Sequence, residues 1–302
     1  MKAVVLHEFG GPGNLKYEDW PDPSPGPGEV LVRVAASSVN PIDFKMRSGE
    51  AQSRFPIELP YVLGRDISGV VRELGADVEG FAVGDPVLAL TWHAYAELVV
   101  VKAADLVHLP EGLGVVPAAA LPLVTLTGDQ LIRVGTGIHA GQSILVTGAV
   151  GGVGRTAVMV AKTLGAIVTA GVRTQQLKEA EELGADHVLA LDDAEALAGC
   201  GPFDAIADTV GHETADALLA RVNPGGVFAS VLGPPAKAAV YPAVKVVPVM
   251  AKVDAAALFQ LAGDVAAGRL TIPIDRMIPL AEATEGHRAA EKGGIGKVLL
   301  LA

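Results

Sequence analysis

An apolar segment that breaks into a glycine-rich turn constrains the fold of this chain more than any other feature. Residues 143–147 (Ser-Ile-Leu-Val-Thr) are typical of a buried strand, and residues 155–165 favour a helix. Between them, Ala149, Gly151 and Gly154 have the spacing of a dinucleotide-binding fingerprint. A second apolar strand follows at 166–171, so the segment predicts a β-α-β unit that binds nucleotide phosphates at the helix N-terminus.

Each fingerprint position has its own expected role. Ala149 is expected to make the tight turn, Gly151 to let the backbone approach a pyrophosphate, and Gly154 to let the helix pack closely on the strand. The alternative interpretation of such glycines is a flexible loop. The strand before the turn and the helix after it favour the nucleotide site.

The end of the second strand indicates which nucleotide binds. An NAD site places Asp or Glu about 20 residues after the glycines, where it binds the ribose 2′-hydroxyl. This chain has Val-Arg-Thr-Gln-Gln at 172–176, with no carboxylate. Arg173 can pair with a 2′-phosphate through two hydrogen bonds, and the Thr174 hydroxyl can donate a third. The segment predicts NADP(H), and the alternative is that Arg173 is an ordinary solvated residue.

Composition narrows the class of protein. The net charge of −11 and the lack of clustered Lys and Arg argue against nucleic-acid binding. The apolar runs are too short to span a bilayer, so no membrane partner is expected. The single cysteine, Cys200, excludes an internal disulfide and a Cys-rich zinc site. Together with a first segment, 1–7, that has a strand pattern without signal-peptide features, this favours the cytoplasm.

The chain of 302 residues is natural for two domains, and its pattern changes along its length. Up to about residue 110, short β-branched strands alternate with turns and predict a mostly β module. From residue 121 onward, helices alternate with strands, which predicts an α/β domain with a doubly wound parallel sheet of six strands. The last segment, 271–302, adds more elements than that sheet can take, so we expect the tail to return to the N-terminal module.

Short motifs are spread along nearly the whole chain, and they allow a family assignment. They include Ser-Val-Asn-Pro-Ile-Asp at 38–43, Gly-Arg-Asp-Ile-Ser-Gly-Val-Val at 64–71, Val-Gly-Asp-Pro-Val at 83–87, Tyr-Ala-Glu at 95–97, Ala-Ala-Ala-Leu-Pro-Leu at 118–123, the fingerprint at 148–154, Leu-Gly-Ala-Asp at 183–186, Asp-Thr-Val-Gly at 208–211 and Gly-Lys at 296–297. In this order they resemble the medium-chain dehydrogenase/reductase superfamily, and within it the zinc-independent quinone oxidoreductase family.

The resemblance implies a fold and an assembly. A GroES-like, mostly β catalytic domain would comprise residues 1–120 and 268–302, and a Rossmann domain that binds NADP(H) would comprise residues 121–267. The cofactor would lie in the cleft between them. The family resemblance also implies a homodimer joined through the Rossmann domains.

The resemblance further implies a set of cofactor contacts. From the 2′-phosphate to the nicotinamide, these are Arg173 and Thr174, then Ala149, Gly151, Gly152 and Val153 around the pyrophosphate, then Thr127 near the nicotinamide ribose and Asn40 beside the nicotinamide, with Val210, Gly211, Leu232 and Gly233 lining the cofactor after later strands. For Asn40 the alternative is a turn residue before a proline.

The chain departs from the pattern of zinc-dependent relatives. Those relatives have Gly-His-Glu where this chain has Gly-Arg-Asp at 64–66, and a cysteine in the region of 40–43, where this chain has none. A catalytic zinc needs about three ligands from Cys, His and carboxylates. The seven histidines form no close-spaced pair, so no metal site is expected. Gln176 and Leu191 also replace a lysine and a tyrosine that are common in the family, which leaves phosphate recognition mainly to Arg173.

Chemistry without a metal favours certain substrates. Oxidation of a simple alcohol would lack the Lewis acid that stabilises an alkoxide. A quinone or an α,β-unsaturated carbonyl delocalises the charge left by hydride addition and needs only donors and a proton source. We therefore predict hydride transfer from NADPH to a quinone or enone. Solvent or a weak local donor would supply the proton, and the candidate donors are Asp43, Lys45, His93 and Tyr95, each with a structural or surface role as the alternative.

Two other functions are compatible with parts of the sequence. The turn at 147–154 also fits a short-chain dehydrogenase, and Ser230, Tyr241 and Lys245 mimic the triad of that family. However, Pro242 and the β-branched residues 244–247 predict loop and strand, whereas the triad needs Tyr and Lys on one helical face. The other alternative is a protein that binds NADPH as a sensor and has no turnover.

Overall fold

The computed structural model describes residues 1–293 and 296–302. The chain forms two compact units. Unit 1 comprises Met1–Leu123, Val253–Gly268 and Ile272–Ala302, and unit 2 comprises Val124–Lys252 and Arg269–Thr271. No helix within the described ranges combines the length and apolarity that a membrane span requires.

The first part of unit 1 consists mainly of antiparallel strands. In chain order its elements are β1 (Lys2–Leu6), β2 (Leu15–Asp19), β3 (Glu29–Ser38), α1 (Pro41–Ser48), β4 (Tyr61–Val62), β5 (Asp66–Leu74), β6 (Pro86–Leu90), β7 (Leu98–Lys102), β8 (Leu106–His108) and α2 (Val115–Ala118). The strands β2, β1 and β4 form a small sheet, and β3, β5, β6 and β8 form consecutive neighbours in a larger one. Their inward side chains, such as Val30, Val32 and Ile67, are fully buried and supply the core.

Unit 2 alternates helix and strand, as the sequence pattern predicts. The helix α3 (Pro122–Gln130) continues into a π-helical segment (Leu131–Thr136), and there follow β9 (Ser143–Thr147), α4 (Gly152–Thr163), β10 (Ile167–Val172), α5 (Leu177–Glu181), β11 (His187–Ala190), α6 (Ala194–Gly199), β12 (Phe203–Asp208), α7 (His212–Leu218), β13 (Val222–Ser230) and β14 (Lys245–Pro248). The strands are parallel, in the order β11-β10-β9-β12-β13-β14. This is the strand order of a doubly wound Rossmann sheet.

The C-terminal segment completes the large sheet of unit 1. Its elements are α8 (Ala255–Ala266), β15 (Ile274–Pro279), α9 (Ala283–Glu291) and β16 (Lys297–Leu301). The strand β16 pairs with β15 and, antiparallel, with the end of β3 at Ala36–Ser38, while β7 pairs with the start of β3 at Glu29–Arg33. The tail therefore returns to the N-terminal module, as its excess of elements predicts.

The division into compact units differs from the predicted domain limits at α8. The prediction placed residues 121–267 in the Rossmann domain, but α8 belongs to unit 1 and contacts β8. The sheet of unit 2 is complete at β14, whereas the apolar face of α8, with Leu258 and Leu261, is buried. An amphipathic helix stays with the surface that covers its apolar stripe.

Two glycines fix the turn between β9 and α4. Gly148 has a φ of +62°, the left-handed conformation that glycine adopts readily. The Gly151 N–H donates to the Gly148 carbonyl at 2.9 Å, so the tight turn begins at Gly148 and Ala149 lies at its first central position. A Cβ on Gly154 would overlap the Gly148 carbonyl oxygen and would lie 2.7 Å from the Ala149 Cα. Only glycine lets α4 approach the turn this closely.

We expect Gly154→Ala to destabilise unit 2 by about 2 kcal/mol, since the added methyl group meets backbone atoms that cannot move aside independently. Urea unfolding followed by circular dichroism measures the loss. Gly199→Ala is the matched control, because Gly199 also lies in a helix of unit 2 and its Cβ would enter open space. Equal stability of the two variants would contradict the close approach of α4 to the turn.

Candidate functional site

The carboxyl ends of β9 and β12 form the candidate nucleotide site in unit 2. These strands are neighbours, and the strand order reverses between them, so that β10 follows on one side and β13 on the other. Open α/β sheets bind ligands at this reversal point. The turn after β9 and the segment after β12 meet there, because a Cβ on Gly148 would lie 2.5 Å from the Thr209 hydroxyl oxygen.

Asp208 connects three strand ends at this site. Its carboxylate is fully buried and accepts hydrogen bonds from the Thr147 hydroxyl at 2.9 Å and the Ser230 hydroxyl at 2.8 Å. It also accepts the backbone N–H groups of Val210 and Gly211, at 3.1 and 3.0 Å. The ends of β9, β12 and β13 are thereby held together. Sequence reasoning did not assign this role, although Asp208 opens the motif at 208–211.

The N-terminus of α4 fits a pyrophosphate. Gly151 is the N-cap residue and provides no side-chain cap, so the first N–H groups of the helix, at Gly152 and Val153, have no intrahelical acceptor. The positive end of the helix dipole lies at the same place. Unpaired donors and a favourable dipole are what a phosphate group requires. The N-terminus of α4 therefore has the donors that the predicted pyrophosphate contacts need.

The other predicted cofactor contacts of unit 2 lie in two places. Val210 and Leu232 follow β12 and β13 and are about two-fifths exposed, at 37% and 41%. They are close to each other, since a Cβ on Gly211, between them, would lie 2.6 Å from Leu232 Cδ1. Gly233 follows with a φ of +102°. Thr127 is buried in α3. It precedes Gly128, the residue at which α3 approaches α4 closely.

A carboxylate adjoins the predicted 2′-phosphate site. Arg173 is exposed, and its N–H and Nε donate to Gln176 Oε1 at 3.3 Å. The Thr174 N–H and hydroxyl donate to Asp192 Oδ1 at 2.7 and 2.8 Å, and these bonds hold the pKa of Asp192 below its usual value. Residues 172–176 themselves contain no carboxylate, as the sequence shows, but Asp192 brings one beside them. Asp192 was missed because it comes from the adjacent strand end rather than from 172–176.

In unit 1, Asn40 belongs to a buried polar cluster around Asp66. Asn40 is 1% exposed and precedes α1, a helix that the sequence interpretation missed. Its Nδ2 donates to Asp66 Oδ2 at 2.8 Å, and its Oδ1 accepts from Lys297 Nζ at 2.6 Å. The Ser38 hydroxyl and the Leu123 N–H also donate to Asp66. Both ends of the Asn40 amide are thus fixed in orientation.

A directed series of hydrogen bonds ends at Asp43. Its Oδ2 accepts the Asn40 N–H at 2.8 Å and the Tyr95 hydroxyl at 2.9 Å. Nε2 of His287 lies 3.2 Å from that hydroxyl, and Nδ1 of the same ring lies 3.0 Å from the Arg47 guanidinium. A guanidinium only donates, so Nδ1 accepts and Nε2 carries the proton. Every donor from Arg47 to Tyr95 therefore points toward Asp43.

Burial controls the protonation of these groups. It raises the pKa of the Asp43 carboxyl to about 6, against the lowering effect of its hydrogen bonds from Asn40 and Tyr95. Burial lowers the pKa of His287 to about 3, and the Arg47 charge acts in the same direction. The pKa of Tyr95 is raised well above 10 by burial. Asp43 Oδ1 has no hydrogen-bond partner among the described residues, which is compatible with a carboxyl that binds a proton readily.

The four candidate proton donors separate into two groups. Asp43 and Tyr95 are hydrogen-bonded to each other and have no exposed surface. Lys45 lies 3.7 Å from Glu50 in a partly exposed ion pair. His93 is exposed, and its Nδ1 donates to the Val62 carbonyl at 3.1 Å. The structure brings the first two together and leaves the other two outside the cluster.

Residues 64–66, which replace the Gly-His-Glu motif of zinc-dependent relatives, make different contacts in this chain. The Arg65 guanidinium lies 3.6 Å from the centre of the Trp92 ring, and its Nε donates to the Thr91 carbonyl at 2.8 Å. This is a cation–π contact rather than a ligand arrangement. Across residues 1–293 and 296–302, no group of three or more His, Cys, Asp and Glu residues is arranged to hold a metal ion.

The structure excludes the triad of a short-chain dehydrogenase. Tyr241 follows a short 3-10 turn, and Lys245 begins β14, so the two side chains do not share a helical face. The Ser230 hydroxyl donates to Asp208. The three residues therefore cannot act as that triad.

Two family models match the chain. The alcohol dehydrogenase GroES-like domain matches residues 26–111, and the zinc-binding dehydrogenase model matches residues 183–300. The first falls within unit 1, while the second covers the later strands of unit 2 and the C-terminal elements.

Several oxidoreductases are similar in sequence to much of this chain. Human mitochondrial NAD(P)H oxidoreductase RTN4IP1 is 40% identical over 211 residues, which cover 62% of this chain and 53% of that protein, about half of its length. The quinone oxidoreductase of Pseudomonas aeruginosa is 34% identical over 76% of this chain and 72% of its own. Acryloyl-coenzyme A reductase of Sulfurisphaera tokodaii is 32% identical over 75% of each chain.

Solved structures of quinone oxidoreductases are similar in fold to this chain over its whole length. The quinone oxidoreductase of Coxiella burnetii has a TM-score of 0.89 and 29% identity, and the alignment covers 100% of this chain and 99% of that one. A mycobacterial protein, Rv1454c, solved in complex with NADPH, has a TM-score of 0.83 and 29% identity over 100% of both chains. The chain belongs to the quinone oxidoreductase family of the medium-chain dehydrogenase/reductase superfamily. The predicted fold class, a GroES-like part and a Rossmann part, is confirmed.

The buried Asp43 carboxyl predicts a pH dependence of stability. Its pKa rises from 3.8 to about 6 on folding, so its contribution is present below the lower value and is lost as the pH rises through the higher one. Relative to Asp43→Asn, the wild-type chain should lose about 2 kcal/mol of unfolding free energy between about pH 4.5 and about pH 7.5.

Urea unfolding at several pH values checks this difference. The opposing titration of His287 is present in both proteins and cancels. Asp77→Asn is the control, because it removes one carboxylate from an exposed turn residue. A pH-independent difference between wild type and Asp43→Asn would contradict the raised pKa.

Proposed function

We propose that this chain is a zinc-independent oxidoreductase that transfers a hydride from NADPH to a quinone or an α,β-unsaturated carbonyl compound. The observation that carries the proposal is the uncapped N-terminus of α4 at the reversal point of a Rossmann sheet, with Arg173 at the end of the neighbouring strand. Family relatives named quinone oxidoreductase and acryloyl-coenzyme A reductase support the two substrate classes.

The residues of unit 2 hold the dinucleotide in this proposal. The N–H groups of Gly152 and Val153 bind the pyrophosphate, and Arg173 binds the 2′-phosphate. Val210 and Leu232 supply exposed apolar surface at the same edge of the sheet. The reduced nicotinamide, when bound, supplies the hydride. The chain itself contributes position and orientation, which suits an acceptor that delocalises the added charge.

Asn40 has the fixed orientation that a nicotinamide contact needs. Its amide donates to Asp66 and accepts from Lys297, and a flipped amide would oppose both partners. Its backbone N–H is held by Asp43. The family resemblance implies that this asparagine lies beside the nicotinamide, and we propose that Asp43, Asp66 and Lys297 position it for that role.

No single side chain serves as the acid in the proposed reaction. Asp43 and Tyr95 have no exposed surface, and Lys45 and His93 are engaged elsewhere. We propose that solvent protonates the product, which is feasible because a quinone or enone stabilises the anion formed. Arg65 supports zinc independence, since a guanidinium stands where zinc-dependent relatives have a histidine ligand and the proposed acceptors need no Lewis acid.

Three further points remain parts of the proposal: assembly as a homodimer, a location in the cytoplasm, and domain limits at 120/121 and 267/268, which differ from the compact units at α8. They rest on the family resemblance and on composition.

Loss of nicotinamide absorbance measures the proposed activity. The purified protein is given NADPH or NADH with a benzoquinone, a naphthoquinone, an alkenal, a cyclic enone and an enoyl thioester. Turnover is expected with at least one acceptor. Arg173→Ala should raise KM for NADPH about tenfold and leave KM for NADH nearly unchanged, because a charge-assisted contact to the 2′-phosphate is lost.

Lys178→Ala is the control for this comparison, since it removes an exposed positive charge a short distance along the chain. Equal effects of the two variants would contradict a specific contact of Arg173. Tight NADPH binding without turnover on any acceptor would favour the non-catalytic sensor instead.

Tyr95→Phe tests whether a buried acid is required. The variant removes the donor to Asp43 and the acceptor of His287, so the unfolding free energy should fall by about 1–3 kcal/mol. We expect kcat to stay within about tenfold of wild type, because a solvent proton suffices. Tyr17→Phe, at an exposed tyrosine, is the control. Loss of nearly all kcat by a folded Tyr95→Phe protein would overturn the view that no single acid is needed.

A further inference from the structure

The hydrogen-bonding capacity of Thr174 is already used by the protein. Both its N–H and its hydroxyl donate to the same oxygen of Asp192, at 2.7 and 2.8 Å. A hydroxyl has a single proton to donate. The Thr174 hydroxyl therefore reaches a 2′-phosphate only if it first leaves the carboxylate.

The sheet register explains why Asp192 reaches this position. Val172, the last residue of β10, pairs with Ala190, the last residue of β11. Asp192 follows two residues after that pair and therefore lies beside Thr174. The Leu191 N–H donates to the Val172 carbonyl at 2.7 Å, which extends the pairing by one residue. The pairing of β10 with β11 therefore fixes the backbone that carries Asp192, and so sets where its carboxylate lies.

We propose that Asp192 is a specificity-determining residue that weakens the preference for NADPH, so that the chain binds NADH with comparable affinity. The inference rests on the proposed function and concerns the adenosine end of the same site. Asp192 acts in two ways: it holds the Thr174 hydroxyl, and it places a negative charge where a dianionic 2′-phosphate would bind. A ribose 2′-hydroxyl carries no charge and is not repelled.

The neighbouring carboxylate, Asp193, has a different role. Its Oδ1 accepts the N–H groups of Glu195 and Ala196 at 2.9 and 3.1 Å, so it caps α6. Its charge is matched by a helix N-terminus. Asp192 instead faces Thr174, and the charge of Arg173 is close enough to stabilise its ionised form. Asp192 therefore remains an anion at neutral pH beside the residue that must bind the phosphate.

The size of the effect follows from Coulomb's law. A unit charge about 6 Å from a phosphate at a solvated surface changes its binding by roughly tenfold at low ionic strength, and by less as salt screens the interaction. Asp192→Asn removes the charge and keeps an oxygen acceptor for Thr174. Asp192→Ala removes both and releases the Thr174 hydroxyl.

Isothermal titration calorimetry with fragments of the cofactor tests the proposal without turnover. The full chain is titrated with adenosine 2′,5′-bisphosphate and with ADP, and then with NADPH and NADH. Asp192→Asn should tighten the bisphosphate and NADPH about tenfold and change ADP and NADH less than about twofold. Asp193→Asn, which removes one charge at the next position and keeps an N-capping side chain, should change none of them by more than about twofold.

Thr174→Val separates the two actions of Asp192. In the wild-type background this change should affect bisphosphate affinity less than about twofold, since the hydroxyl is already bound to Asp192. In the Asp192→Ala background it should cost about fivefold, because the released hydroxyl then donates to the phosphate. Circular dichroism of each variant shows that the fold is kept.

The outcomes distinguish this inference from the proposed function. If wild type binds NADPH and NADH but Asp192→Asn and Asp193→Asn behave alike, Asp192 is not a determinant and the proposed function stands. A wild-type preference for NADPH over NADH of a hundredfold or more would also overturn the inference. If wild type binds neither dinucleotide, the proposed function fails and this inference fails with it.

Discussion

The buried carboxylate of Asp66 organises much of unit 1. It accepts hydrogen bonds from Ser38 at the end of β3, from the Asn40 amide and from the Leu123 N–H, and Lys297 Nζ lies 3.6 Å away. A buried charge is tolerated only when it is paired and its lone pairs are satisfied. The end of β3, the start of α1 and the C-terminal strand are therefore held together. Their contacts with Asp66 and Lys297 also fix the orientation of the Asn40 amide.

In unit 2, a buried carboxylate has the same role at the candidate nucleotide site. Asp208 joins three strand ends through hydroxyl and backbone donors, much as Asp66 joins elements of unit 1. In both places an acidic side chain accepts hydrogen bonds from side-chain and backbone donors of several elements and holds them in position. In the described part of unit 2, the groups that a ligand could reach include backbone N–H groups at the N-terminus of α4, the exposed apolar side chains of Val210 and Leu232, and the exposed Arg173. Such a site binds and orients a cofactor, and the cofactor supplies the redox chemistry.

Local patterns predicted most of this fold, and partners distant in sequence explain the errors. The alternation of helix and strand from residue 121 onward and the return of the tail to the N-terminal module agree with the sequence pattern, because apolar runs and turn residues mark the elements directly. The helix α1 was missed, since the proline after Asn40 was considered only as a possible sign of a turn, although proline suits the first helical position. Asp192 and His287 gave no signal, because their partners Thr174 and Tyr95 lie 18 and 192 residues away in the sequence.

The pairing of β16 with β3 affects how the chain folds as it is synthesised. Every strand of the unit 2 sheet has been made by residue 248, whereas the unit 1 sheet waits for residues 297–301 to join a strand made more than 250 residues earlier. Domains generally fold as units during synthesis. The sheet of unit 2 can thus reach its native pairing first, while Asp66 acquires its Lys297 partner only after residue 297 has been synthesised.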